Sequence, residues 1–106
     1  MSEPNPAPQP PKLSLASVTL LLSDPTRWLL LRELAKGEAL PVSELARRLG
    51  RNRDVISKHL GVMRRVGVAA AGFGRLYLLV PAFRPAPGTA VLDFGHCIMR
   101  LDTPIS

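Results

Sequence analysis

The chain contains one cysteine, Cys97, so no disulfide can close within it, which fits a reducing, cytoplasmic setting. No apolar run approaches the ~18 residues a membrane span requires. No basic segment precedes an apolar core near the N-terminus, so neither a span nor a secretory signal is expected. There are two histidines and few acids, and no glycine-rich phosphate loop follows a strand pattern. No nucleophile, base and orienting group can be assembled from such a set, so the expectation is no enzyme and no cofactor. Binding to anionic lipid would need an amphipathic helix standing apart from the core pattern, and none does.

Acidic residues are also scarce: 8 against 14 basic, a net charge of +6 over 106 residues. The imbalance is local. Arg47, Arg48, Arg51, Arg53, Lys58, Arg64, Arg65 and Arg75 share their stretch with a single acid, Asp54. Such an excess suits a polyanion, nucleic acid first. A solvated basic face would explain the charge alone, so its placement on the fold must decide. The length is that of one domain, and 46% apolar residues allow a modest core. Domains this small often gain stability by dimerising.

Residues 1–11 hold five prolines and read as a disordered, extended tail. Residues 13–22 predict a first helix with apolar residues on more than one side, which needs two partners: its own core and a second subunit. Asp24 and Pro25 mark the start of a second helix that turns Trp28, Leu30, Leu31, Leu34 and Ala35 inward and ends near Gly37. A short third helix, capped by Ser43, buries Leu45, Ala46 and Leu49, and Gly50 permits a sharp turn. The fourth helix, residues 52–66, has Asn52 as its cap. It points Val55, Ile56, Leu60, Met63 and Val66 mainly inward, and Arg53, Ser57, Lys58 and Arg64 outward. Gly67 ends it. Residues 68–80 read as two strands joined at Gly72-Phe73-Gly74. After a proline-rich link, a last hairpin pairs residues 90–94 with 97–101 about Gly95-His96. Leu92, Phe94, Cys97, Met99 and Leu101 then share one face, and Asp93 and Arg100 can pair diagonally on the other.

This order makes the fold mainly α with a small β part (α+β): a winged helix-turn-helix in residues 12–80, with residues 81–106 adding a link and a C-terminal β-hairpin packed on the domain or on a dimer interface. In such a unit the second helix of the pair enters the major groove, N-terminal residues first. Here the reading face comprises Arg51, Asn52, Arg53, Asp54, Val55, Ser57, Lys58 and His59. Arg53 can donate two hydrogen bonds to guanine, and Lys58 can reach guanine or a phosphate. Ser57 and His59 suit phosphate or less specific base-edge contacts. Val55 is either a thymine-methyl contact or core. Asp54 must accept from a cytosine amine or orient Arg51 or Arg53. Arg75, beside the wing tip, reads as a phosphate or minor-groove contact, and Arg47 and Arg48 as backbone-positioning charges.

Four segments carry a family resemblance: Leu22-Ser23-Asp24-Pro25-Thr26-Arg27; Val42-Ser43-Glu44-Leu45-Ala46-Arg47-Arg48-Leu49-Gly50; Val55-Ile56-Ser57-Lys58-His59-Leu60; and Met63-Arg64-Arg65-Val66-Gly67-Val68. Together they resemble the ArsR/SmtB winged-helix repressors over residues 13–80. The resemblance implies a homodimer that represses transcription by binding double-stranded DNA at an imperfect palindrome until a ligand weakens the complex; the first helix and the C-terminal hairpin are the expected dimer contacts. Many such repressors sense metals through cysteines at the start of the third helix, where this chain has Ala39-Leu40-Pro41-Val42-Ser43-Glu44-Leu45. Their C-terminal helix is replaced here by the proline-rich link and hairpin. The expectation is therefore a regulator that is not a typical metal sensor. His96 and Cys97 supply only two ligands, short of a zinc site unless completed across a dimer, and Cys97 reads as a small buried hydrophobe. The competing expectation is a winged-helix protein-interaction module without specific DNA reading, which Asp54 on the reading surface favours.

Overall fold

A side chain that accepts from an unpaired N–H group starts most of the helices, and the starts set the frame. The computed structural model describes residues 12–104; the expected tail at 1–11 lies outside the described residues. Ser14 Oγ accepts from the Ser17 N–H at 3.1 Å and opens α1, Leu15–Leu22. Leu13, expected inside this helix, instead precedes it. It is buried, and its N–H donates to the Phe94 carbonyl at 3.3 Å, tying the start of α1 to the last hairpin. Asp24 caps α2, Pro25–Leu34, by accepting from the Thr26 N–H at 2.7 Å, with Pro25 at the first helical position. Trp28 is half-buried against the core, and its indole N–H donates to the Leu22 carbonyl at 2.9 Å.

The third helix departs from expectation at its start. α3 spans Val42–Leu49 with Pro41, not Ser43, at the cap position and no side-chain cap bond. The Pro41 carbonyl accepts from the Glu44 and Leu45 N–H groups, so the helix begins earlier and Ser43 falls inside it, exposed. At the other end Gly50 is left-handed, at φ 62°, and a Cβ there would meet nothing within 4 Å. Gly50→Ala should therefore lose only backbone conformational energy, about 1–2 kcal/mol, read as a lower urea midpoint with an unchanged m-value.

Two hairpins follow α4, Arg53–Arg65. Strands β1, Ala69–Ala71, and β2, Tyr77–Leu79, pair antiparallel with Ala70 opposite Leu78. Leu40 bridges to Tyr77 through two backbone hydrogen bonds of 2.9 and 2.7 Å, which fastens the wing to the segment before α3. The wing connection is longer than the expected Gly72-Phe73-Gly74. It is a 3₁₀ turn, Phe73–Arg75, closed by the Gly72 N–H donating to the Leu76 carbonyl at 2.8 Å. Strands β3, Val91–Asp93, and β4, Ile98–Arg100, pair with Leu92 opposite Met99. Gly95 in their turn takes φ 92°, as a two-residue primed turn requires.

One core joins these parts. Leu21, Leu30, Leu31, Leu34, Leu45, Ile56, Leu60 and Met63 from the helices meet Val68 and Leu79 from the wing and Leu92, Phe94 and Met99 from the second hairpin. The expected inward face of that hairpin is thus the buried one, with Cys97 and Leu101 partly buried beside it. The diagonal Asp93–Arg100 pair does not form. Asp93 Oδ1 accepts from the Gly95 N–H at 2.8 Å in its own turn, and Arg100 Nε lies 3.2 Å from Asp102 Oδ1. A polar side chain near a turn meets its local partner with less ordering than a distant one. The architecture is an α+β winged helix-turn-helix, with four α-helices among the described residues, carrying an additional hairpin.

Candidate nucleic-acid interface

The helix pair α3–α4 is made by the Gly50 turn and the Asn52 cap. The Arg51 N–H returns to the Ala46 carbonyl at 3.0 Å, and Asn52 Oδ1 accepts from the Asp54 N–H at 2.7 Å. Ile56, Leu60, Val62 and Met63 form the buried side of α4. Val62 was not expected there, and Val55, expected mainly inward, is 41% exposed. The two residues stand two turns apart on nearly the same helix face, so depth along the helix separates them. The C-terminal end of α4 runs into β1, where Val62 and Met63 are buried, whereas Arg53, Asp54 and Val55 at its start are exposed ahead of buried Ile56. Val55 consequently stands with Arg53, Asp54, Ser57 and Lys58 on an exposed surface.

No ion pair neutralises Arg53, Lys58, Arg64, Arg65 or Arg75 among the described residues. Arg51 is exposed too, with its guanidinium 3.3 Å from the Leu49 carbonyl. Arg47 and Arg48 are placed differently. Both donate to Glu44 one turn back, and Arg48 also lies 3.1 Å from Glu38 and 3.5 Å from Glu33. The hydrogen bonds from Arg47 and then Arg48 hold the Glu44 carboxyl down at about 2. Their charge is largely matched on the protein itself, which leaves the field before α4 to the unpaired cations.

Arg75 is turned by its backbone. It takes φ 60°, directly after Gly74 at φ 71°, a left-handed pair that carries its side chain back toward α4. It lines one open cleft with Val42, Asn52, Arg53, Asp54 and Ser57. The wing residue and the first turn of α4 therefore form a single surface. Asp54 is exposed in that first turn and makes no side-chain hydrogen bond or ion pair among the described residues, so it does not orient Arg51 or Arg53. A carboxylate at this position favourably meets the positive end of the helix dipole, which gives Asp54 a local structural role.

His59, expected on the same surface, is set apart from it. Its side chain is only 13% exposed, with Nδ1 2.9 Å from Arg27 Nη1 and Nε2 3.7 Å from Asp24 Oδ1. A guanidinium can only donate, so Nδ1 accepts and the ring is neutral with its proton on Nε2. Arg27 is the buried charged residue at this junction. Its Nε donates to the Leu21 carbonyl, and Nη2 donates to the Leu20 carbonyl and Ser23 Oγ, closing the C-terminal end of α1. The Asp-Pro-Thr-Arg start of α2 contains this residue, but nothing local marks it as the partner of a histidine far along the chain.

Burial lowers the His59 pKa, as do the nearby Arg27 and Lys58 charges, against an opposing pull from Asp24. A base whose folded pKa lies below its unfolded value, ~6.5, contributes stability that is present above that value and is lost as pH falls through the folded one. The urea midpoint should fall between pH 7.5 and 5.5. His59→Gln should be less stable at pH 7.5 and should lose less over the same interval; an equal loss in both proteins would assign the pH dependence elsewhere.

His96 is exposed beside half-buried Cys97, and no group of three or more possible metal-ligating side chains gathers among the described residues. No helix there is long and apolar enough to cross a membrane. Residues 22–70 match the family model described as a helix-turn-helix domain, a span that runs from the end of α1 through α4 into β1. No curated protein matches the chain. The helix-turn-helix assignment and the geometry agree on the same segment, and helix-turn-helix domains are DNA-binding units of transcription regulators.

Proposed function

We propose that this protein is a sequence-specific, double-stranded-DNA-binding transcriptional regulator of the ArsR/SmtB kind, acting as a homodimeric repressor and not as a typical metal sensor. The observation that carries this reading is the exposed, unpaired first half of α4, where Arg53, Ser57 and Lys58 stand free above a firmly buried Ile56–Leu60–Met63 stripe. Arg53 and Lys58 read base edges, Val55 offers a methyl contact, and Asn52, Ser57, Arg51 and Arg75 position the backbone. Arg47 and Arg48 contribute weaker positioning because Glu44 already engages them. His59 acts from behind, holding α4 against α2.

A dimer is supported by α1 and β4. Leu15 and Leu20 are 59% and 50% exposed on a helix that is almost wholly apolar, and Ile98 is 62% exposed on β4. Two copies joined there would offer two reading helices to a palindrome, the half-sites spaced by a helical turn of DNA. The protein-interaction alternative drew on Asp54, which the helix dipole accounts for without it.

Selection of bound fragments from a random DNA library tests the reading. The expected outcome is enrichment of one imperfect palindrome, bound by a species that sediments as a dimer, with an affinity that falls steeply as salt rises. Enrichment of no sequence over random DNA would refute specific reading.

A further inference from the structure

The wing tip holds a residue that nothing so far explains. Phe73 is 102% exposed, fully in solvent, whereas Phe83 and Phe94 are buried. Its presentation is built. Gly72 and Gly74 flank it, the Gly72 N–H closes the turn on the Leu76 carbonyl, and the Arg75 N–H donates to the Gly72 carbonyl at 3.1 Å. The ring is therefore held out on a short hydrogen-bonded turn and does not dangle from a loose loop. The next two residues, Gly74 and Arg75, line a cleft with Arg53 and Ser57, so the ring stands at the edge of the surface assigned to DNA.

We infer that Phe73 is an apolar wedge that enters the minor groove flanking the base pairs read by α4 and partly unstacks one base step there. The inference rests on the DNA-binding reading above. The surrounding charge selects nucleic acid over protein as the occupant: no acidic residue lies between Asp54 and Asp93, while Lys58, Arg64, Arg65, Arg75 and Arg84 all do. An exposed aromatic ring beside Arg75 and Arg53, with Asp54 the one acid lining the adjoining cleft, fits a stacked polyanion, which offers phosphates to the arginines and an apolar base step to the ring. Wedges of this kind kink the duplex toward the major groove and favour flexible pyrimidine–purine steps. Phe73 would thus set sequence preference at a position that α4 does not touch.

The test uses the full chain and the fragment it selects from a random library, with 2-aminopurine placed in turn at each flanking step. Wild-type protein should raise the emission at one flanking step, reporting unstacking, and should bend the fragment in a gel-mobility assay. Phe73→Ala, at a fully exposed site, should fold normally, bind roughly tenfold more weakly, and lose both signals. Phe73→Leu, which keeps an apolar wedge, should retain the bend. Equal affinity and an equal bend in wild type and Phe73→Ala would overturn the wedge while leaving DNA binding intact. A wild-type chain that selects no DNA would instead refute the underlying reading, and the wedge with it.

Discussion

Replacing Arg53 and Lys58 together by alanine should abolish sequence-specific DNA binding and leave the fold unchanged. Both side chains are exposed in the first half of α4, and neither has an ionic partner among the described residues. Their removal leaves no buried group unsatisfied and no cavity, so the urea midpoint should move little. On DNA the situation reverses. Each contact to a base edge discriminates by about 1–3 kcal/mol, so losing two lowers affinity for the selected site by about 4 kcal/mol, roughly a thousandfold. Affinity for random DNA should fall much less, because phosphate contacts through other cations remain. Titration of selected and scrambled fragments at fixed salt measures both quantities. Unchanged preference for the selected fragment in the double variant would place the reading face elsewhere.

The second large effect concerns stability. Phe94→Ala should destabilise the protein by about 3–5 kcal/mol, a large share of the ~5–15 kcal/mol that such domains possess. Phe94 is fully buried, packs at a tilt against Phe83 with ring centroids 6.2 Å apart, and accepts the Leu13 N–H on its carbonyl. Removing the ring opens a cavity where the second hairpin meets the start of α1. Trp28, in α2, gives a remote fluorescence signal for urea unfolding. If the hairpin and the helix-turn-helix share one cooperative core, the Trp28 transition moves to lower urea as a single step. A Trp28 transition that stays in place would show that the hairpin is an accessory to an independently stable domain.

The residues behind these two predictions were legible to different degrees. Lys58 was visible because helical periodicity separates it from Ile56, Leu60 and Met63; Arg53 lies on their stripe by spacing and was visible as a charge beside the Asn52 cap, where a helix of this kind presents its first residues. Phe94 was visible because strict alternation places it with Leu92 and Met99. Val55 stayed open between core and contact, and Val62 was not singled out, because periodicity gives the angle around a helix and not the depth along it. Val55 is exposed in the first turn of α4, and Val62 is buried toward the end that meets β1. His59 lies on the face of Val55 and Val62 by periodicity, and Arg27 of α2 meets it there, a contact between remote segments that periodicity does not reveal.

The sequence by itself determined the local punctuation of this protein: the Asp24 and Asn52 caps, the Gly50 turn, the Gly95 hairpin and the apolar periods that sort each element into faces. These follow from backbone sterics and hydrogen bonding within a few residues, so neighbouring positions suffice to reveal them. Tertiary structure alone decided which cations remain free and which side chains meet across elements. Glu33 of α2 meets Arg48 of α3, Arg27 joins α1, α2 and α4 through His59, and Arg75 of the wing lines a cleft with the first turn of α4. Each depends on distances between segments remote in the chain, and such distances are set only when the shared core closes.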